Sequence, residues 1–568
     1  MDRRATLAAF FGKQDKVAKQ ADKQESRHAG VRTAAITSIF QVNSGLEPYT
    51  GPWEYEQAAH LLRRAMYGPT YAQIKAVRDQ GLNATIAQLF QDLPLPQPPI
   101  NYYFTDDPNV PVGSTWINAP YIAGVNLAQY RGRSLRAWTL GQVLEEGISV
   151  REKLVLFWIN HFGIGNVNDP KFNYNHSNLL RTHAWGNFKQ LIKEITISPS
   201  MLRFLNGNQN TRTAPNENYA RELLELFTIG KGPQVGPGDY SNYTEDDVIQ
   251  MAKVLTGWRD RGFNTTNPAI QVESFFQANL HDTGQKQLSH RFGNVVISNG
   301  GNLEYAQLID IIFQQEEVAR FISRKLYRWF IYYVITEEAE ANVIEPMAQL
   351  LIANNYELKP VMQALLGSAH FFDMLNVGPM IKNPLDFVAS ALKQFEVAMP
   401  AESGALYNTW WRIMTILSPM EMDIYNLPSV AGWKAYYQEP LYYRSWINAS
   451  TLPPRMNMTN AVSTVGILLN GFRVIIDPLA FVATLETPTE PNALIEEFAK
   501  ILFPQPITAG QKVALKEVLL PGLPDYEWSL EYGQYLSNPN DVQLANAVAT
   551  KLRSLIKTMM SMSEYYLS

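Results

Sequence analysis

The sequence contains no cysteine. That excludes a disulfide framework, a thiolate nucleophile and a cysteine-ligated metal. It leaves the compartment open, because exported and cytosolic proteins alike can lack cysteine. Apolar runs are short, and none reaches the about 18 residues that a transmembrane helix needs, so no membrane span is expected. Neither sign of charge is in excess: 48 basic and 53 acidic residues give a formal net charge of −5. Without a basic stripe there is no sign of a nucleic-acid partner. Walker loops, dinucleotide fingerprints, Gly-x-Ser-x-Gly elbows and His-Glu-x-x-His motifs are absent. Nucleotide, nicotinamide and α/β-hydrolase chemistry are therefore disfavoured, and the cofactor is unknown.

What is present is core-forming material. Of the 568 residues, 46% are apolar and only 18% charged, which argues for a folded chain with two or three packed lobes. Aromatics make up 12%, with 12 Trp and 28 Tyr. Most of them read as core, and some as the wall of a groove for a flat ligand. At the start, Arg3-Arg4 is followed by an apolar stretch of about eight residues that ends at Lys13, like a shortened twin-arginine export signal. Residues 14–35 are polar and read as a solvated tail.

The helical period dominates from Gly51-Pro52 onward. It predicts helices over Tyr55–Met66, Arg133–Glu146, Val150–Phe162, Ser177–Ile197, Asn216–Ile229 and Thr244–Trp258, through Leu303–Ala369, and in several pieces to Met562. Ser149 with Glu152, and Thr244 with Asp247, have capping-box spacing. The proline-rich Leu93–Ile100 predicts an extended linker. The Gly-, Asn- and Thr-rich segment 259–300 predicts a small hairpin or long loop, with a β-like stretch at Arg291–Ser298. The expected fold is all-α, a multi-lobed helical array with a small β-hairpin or loop insertion. Its expected organisation is a tail over 1–50, a helical core over 51–400, and a C-terminal helical region over 401–568 with an aromatic-rich irregular stretch at Leu427–Pro454.

Several separated stretches occur in a fixed order: Ala59–Pro69 (AHLLRRAMYGP), Arg151–Phe162 (REKLVLFWINHF), Pro215–Gly230 (PNENYARELLELFTIG), Tyr243–Asp247, Leu255–Trp258 (LTGW), His281–Lys286 (HDTGQK) and Ile381–Pro384 (IKNP). In these the chain resembles the bacterial DUF1800 family over residues 50–565. The resemblance implies an all-helical fold, a family often preceded by an export signal, and a sulfatase-like partner family, DUF1501, often encoded beside it. A periplasmic or envelope location follows from that resemblance, and a cytoplasmic one if the N-terminal signal does not function. The Leu-Gly that usually follows the Lys of the His-Asp motif is replaced here by Leu288-Ser289-His290-Arg291, so that loop has its own shape.

Four constellations could carry chemistry. On a helical wheel, Glu217, Asn218, Arg221, Glu222 and Glu225 share an arc of about 140°. If that face is buried, repulsion raises one carboxyl toward neutrality and sets up acid/base catalysis, with Arg221 orienting the carboxylates one turn away. The competing reading is a solvated face of helix salt bridges or an ion-pair network between lobes. His281, Asp282 and Lys286 would converge if the chain turns at Gly284; they bind an anion or supply acid/base groups, or else Asp282 merely caps its own turn. Trp433 and Tyr437 could form a sugar platform or simply pack in a core. His161, His183 and Glu222 are a candidate metal set, against the default of a satisfied core histidine at His161.

The leading expectation is an envelope enzyme that cleaves a glycan or other polymer through these carboxylates, with Asn218 and Lys286 binding substrate. The alternatives are a non-catalytic binding or assembly protein working with a sulfatase-like partner, and a metal-dependent oxidoreductase.

Overall fold

The computed structural model describes residues 44–103 and 105–568. The shortened twin-arginine stretch and the polar residues 14–35 lie outside the described residues. The architecture is mainly α, with four two-stranded antiparallel hairpins among the described residues. None of the helices described is long and apolar enough to cross a membrane.

Local sequence explains most helix ends. Asn126, Asp169, Asn187 and Ser198 each accept a backbone N–H in the first turn of the helices Leu127–Glu145, Pro170–Thr182, Phe188–Thr196 and Pro199–Phe204. Pro170 and Pro199 stand at first helical positions, where no N–H is needed. Thr244 and Asp247 form the expected capping box of the helix Glu245–Val254.

Two helix expectations need correction. Ser177–Ile197 is not one helix: the chain breaks at His183–Asn187, where Asn187 caps a new helix and its Nδ2 is held by the Asn355 carbonyl at 2.8 Å. Ser149 and Glu152 do not form a capping box either. Ser149 Oγ accepts from Arg151 N at 3.0 Å, while the N–H of Glu152 goes to Glu146 Oε1 at 3.1 Å, so the helix Arg151–His161 starts from Val150.

The segment 259–300 contains two hairpins. Trp258–Arg261 pairs with Glu273–Phe276, and Lys286–Gln287 pairs with Val296–Ile297. Leu93–Ile100 is extended up to a single bridge between Ile100 and Thr115. Residues before and after 400 pack closely. The helix Ser403–Thr415 lies along Leu127–Glu145, close enough that the ring of Trp410 fills the space above Gly141. Arg63 Nη2 reaches back to the carbonyls of Lys500 and Ile501.

Candidate functional site

The helix Glu217–Glu222 begins at Asn216, whose Oδ1 accepts from Asn218 N and Tyr219 N. The Tyr219 hydroxyl anchors it by donating to the Thr196 carbonyl at 2.6 Å. From Leu223 to Thr228 the backbone widens into a π-helix, and Gly230 ends it with φ +72. Arg221 does not pair with Glu217 or Glu225 on its own helix. It donates Nη1 and Nη2 to both oxygens of Glu245 at 2.8 and 2.7 Å. This bidentate bond holds the guanidinium pKa up and the Glu245 carboxyl down. Glu225 Oε2 accepts from the Tyr243 hydroxyl at 3.0 Å and lies 3.7 Å from Lys231 Nζ. Glu217 and Asn218 are exposed, and Arg221, Glu222 and Glu225 are partly so. The face is thus a wet ion-pair surface. Glu222 is the exception in chemistry: partial burial first, and the Glu225 charge second, push its carboxyl above the usual range against the pull of Arg221.

The His281–Lys286 loop does converge, around a residue that the sequence did not single out. His281 Nε2 lies 2.9 Å from Glu304 Oε1, and Lys286 Nζ lies 2.7 Å from Glu304 Oε2, all three side chains being buried. Burial alone would raise the Glu304 carboxyl, but the hydrogen bonds from His281, Lys286 and Gly300 N outweigh it and hold it low. Asp282 serves its own turn, accepting from Gly284 N at 2.8 Å. The helix Glu245–Val254 touches both groups: Glu245 reaches Arg221, and Asp247 accepts from Ser289 N and Oγ at 2.7 Å.

Trp433 is 2% exposed and its backbone N–H is held by Asn160 Oδ1 at 2.9 Å, so it is core; Tyr437 is 43% exposed beside it in sequence. His161, His183 and Glu222 are not brought together. His161 Nε2 lies 3.1 Å from the Phe227 carbonyl and its Nδ1 3.3 Å from Lys325 Nζ, whereas His183 pairs with Glu194 at 3.2 Å. Among the described residues, no group of His, Asp and Glu could hold a metal ion.

A cleft of about 850 Å³ lies elsewhere. One wall is the helix Leu127–Glu145, with Gln129, Arg133 and Arg136. The segment 166–173 adds Asn166, Asn168 and Asn173, and 411–426 adds Trp411, Asp423, Tyr425 and Asn426. The Arg133 guanidinium lies over the Trp411 ring at 5.9 Å. Arg136 lies over Tyr425 at 5.8 Å and donates to Asp423 Oδ1 at 3.1 Å. Asn173 is 7% exposed; its Nδ2 donates to the Val167 carbonyl at 3.0 Å, and its Oδ1 has no partner among the described residues. Asp169 also lines the cleft, but both of its oxygens are occupied, by the Tyr121 hydroxyl at 2.6 Å, Lys171 N at 2.8 Å and Asn264 N at 2.7 Å. Three segments far apart in sequence build this cleft, and no local motif marks it; the Asn166–Asp169 run is the one hint.

The family model described as "Protein of unknown function (DUF1800)" matches residues 60–567. The chain belongs to the DUF1800 family. No curated protein and no solved structure matches it. Within this DUF1800 chain, the Pro215–Gly230 motif forms the ion-paired helix with its π-turn. The His281–Lys286 motif forms the buried His-Lys-Glu cluster.

Proposed function

We propose that this DUF1800 protein binds a neutral, hydroxyl-rich polymer, a glycan segment, in the cleft between the helix Leu127–Glu145 and residues 166–173 and 411–426. The observation that carries this reading is the lining: carboxamides from Asn126, Gln129, Asn166, Asn168, Asn173 and Asn426 beside the partly exposed ring of Trp411. An amide offers both donor and acceptor, as a sugar hydroxyl does, and a ring face suits the apolar face of a pyranose. The unpartnered Asn173 Oδ1 supplies an acceptor for one such hydroxyl. A binding role beside a sulfatase-like partner in the envelope, as the family resemblance implies, fits a protein that holds a glycan for another to process.

The test is calorimetric titration of the full chain with neutral oligosaccharides. Binding weakened about tenfold or more by Trp411→Ala supports the reading. Absence of binding across neutral oligosaccharides, or binding indifferent to Trp411→Ala, overturns it.

A second reading is acid/base cleavage of the polymer, with Glu222 as the acid, Glu225 as the neighbouring carboxylate and Arg221 as support. It is favoured by the raised Glu222 carboxyl, which makes no hydrogen bond or ion pair among the described residues. New reducing ends formed by the wild type and lost in Glu222→Gln would support it; a wild type that forms none would remove it.

A further inference from the structure

The charged residues of the core are unevenly matched. Arg64, Lys153, Lys382 and Arg455 are all buried around one carboxylate, Asp386. Lys153 takes Asp386 Oδ2 at 2.8 Å. Arg64 is satisfied by the carbonyls of Phe330, Trp329 and Ile331 and by Ser568. Lys382 Nζ donates to the Tyr565 carbonyl at 2.9 Å.

Arg455 is left over. It is fully buried in the first turns of the helix Leu452–Ser463, and none of its Nε, Nη1 and Nη2 has a hydrogen-bond partner among the described residues. Its guanidinium sits 5.0 Å from the Phe387 ring centroid. The Tyr566 ring stacks on the same Phe387 at 5.1 Å, and the Tyr566 hydroxyl also lacks a partner. Arg455 and Tyr566 lie close enough to interact electrostatically without being hydrogen-bonded. The hydroxyls of Tyr565 and Tyr67, near the same Asp386, are likewise unpartnered.

A buried guanidinium with no acceptor is among the costliest arrangements a core can contain, and native cores avoid it. The three guanidinium nitrogens can only donate and each hydroxyl can donate as well, so an acceptor is what completes the site. The guanidinium fork presents diverging N–H groups that match two oxygens of one oxyanion better than a spherical ion. The enclosure of Arg455 limits the occupant to a small ion.

We propose that the core of this protein holds one small inorganic oxyanion, phosphate or sulfate, between Arg455 and Tyr566, with Lys382 beside it. The anion would lock the helix Leu452–Ser463 and the C-terminal turn Ser563–Tyr566 onto the helix Pro384–Lys393. Burial first pulls Lys382 down to about 7 and Arg455 to about 10, with Asp386 opposing the shift on both.

The experiment uses the full chain, purified in Tris-chloride without added phosphate or sulfate and then denatured in acid. Phosphate released is measured by molybdate and sulfate by ion chromatography; equimolar release of one of them supports the proposal and names the ion. If exchange empties the site during purification, sodium phosphate or sodium sulfate raises the melting temperature above that in sodium chloride of equal ionic strength. Tyr566→Phe, which preserves the stacked ring, weakens the effect about tenfold or more. Arg455→Met abolishes it. Neither ion released and no anion-specific shift would overturn the proposal, leaving water or chloride as the occupant. A shift unchanged in Tyr566→Phe would overturn it too, even if Arg455→Met fails to fold.

Discussion

The Lys325 amine lies 3.3 Å from Nδ1 of His161 and 3.1 Å from the carbonyl oxygen of Leu226, in the widened π-turn. His161 gives its other nitrogen to the Phe227 carbonyl at 3.1 Å. Two consecutive carbonyls of the π-helix are thus used by side chains from two other helices, a physical role for the widened backbone. Burial first and the Arg328 charge second lower the Lys325 amine from its ordinary 10.5 to about 7. Between those values the unfolded chain carries a proton that the folded chain has shed, so stability must rise as pH climbs from about 7 to about 10.5. Lys382, lowered to about 7, acts in the same direction, so the contribution of Lys325 is read as a difference. Lys325→Met is expected to melt above the wild type at pH 6 and to lose much of that advantage by pH 10. A difference that stays constant across this range would mean that the amine is solvated.

Glu304 is the one carboxylate that His281 and Lys286 share in their buried cluster among the described residues. Removing its charge strands a buried ammonium, which costs about 3–5 kcal/mol. Glu304→Gln should lower the unfolding free energy by that amount, read as a lower urea midpoint with an unchanged slope. The pH dependence has the opposite sense to that of Lys325. The Glu304 carboxyl is held below its ordinary 4.5, so its stabilisation is present above about that pH and is lost as pH falls through the lower folded value. An acid limb of the stability curve that is identical in wild type and Glu304→Gln would contradict this.

These two clusters show what was legible in the sequence. The capping box of Thr244 and Asp247, the stop at Gly230 and the turn at Gly284 depend on neighbours within a few residues, and reading along the chain finds them. The partner of Arg221 is 24 residues away, and Glu304 is 23 residues from His281. Helical spacing offered nearer partners, Glu217 and Glu225, and could not rank them against Glu245 because that depends on how two helices dock. The cleft was less legible still. Its walls come from three separated segments, and carboxamides on helix ends and loops read as ordinary caps. Arg455 is hidden in the same way, since a lone arginine in a sequence reads as surface until the fold encloses it.

Glu222 tests whether the ion-paired face has any chemistry beyond structure. It is about half-buried, has Glu225 as a like-charged neighbour and, among the described residues, makes no hydrogen bond that a neutral amide would forfeit. Glu222→Gln should therefore be neutral or stabilising by up to about 0.5 kcal/mol at pH 7. Carbon-detected titration of the Glu222 carboxyl should give a value above the ordinary 4.5. A clear loss of stability in the variant would reveal a partner for this carboxylate and end its candidacy as an acid.

The helix Leu127–Glu145 presents Arg133 and Arg136 to the cleft, while Arg131 is buried away from it. Arg131 binds both oxygens of Asp107 at 2.8 and 3.3 Å and donates to the carbonyls of Ala119 at 2.8 Å and Pro120 at 3.0 Å. Both partners of this pair are fully buried, so each depends on the other for its charge to be tolerated. Asp107→Asn should then cost about 3–5 kcal/mol in urea unfolding, because it leaves the guanidinium uncompensated. The paired change Asp107→Leu with Arg131→Met should recover much of that loss, since a buried ion pair replaced by apolar side chains of similar volume is often neutral. If this pair fixes the pose of the helix, oligosaccharide affinity should fall in Asp107→Asn, which touches no ligand, and return in the double variant. Affinity that stays at the wild-type level in Asp107→Asn, despite the lost stability, would show that the cleft keeps its shape without the pair.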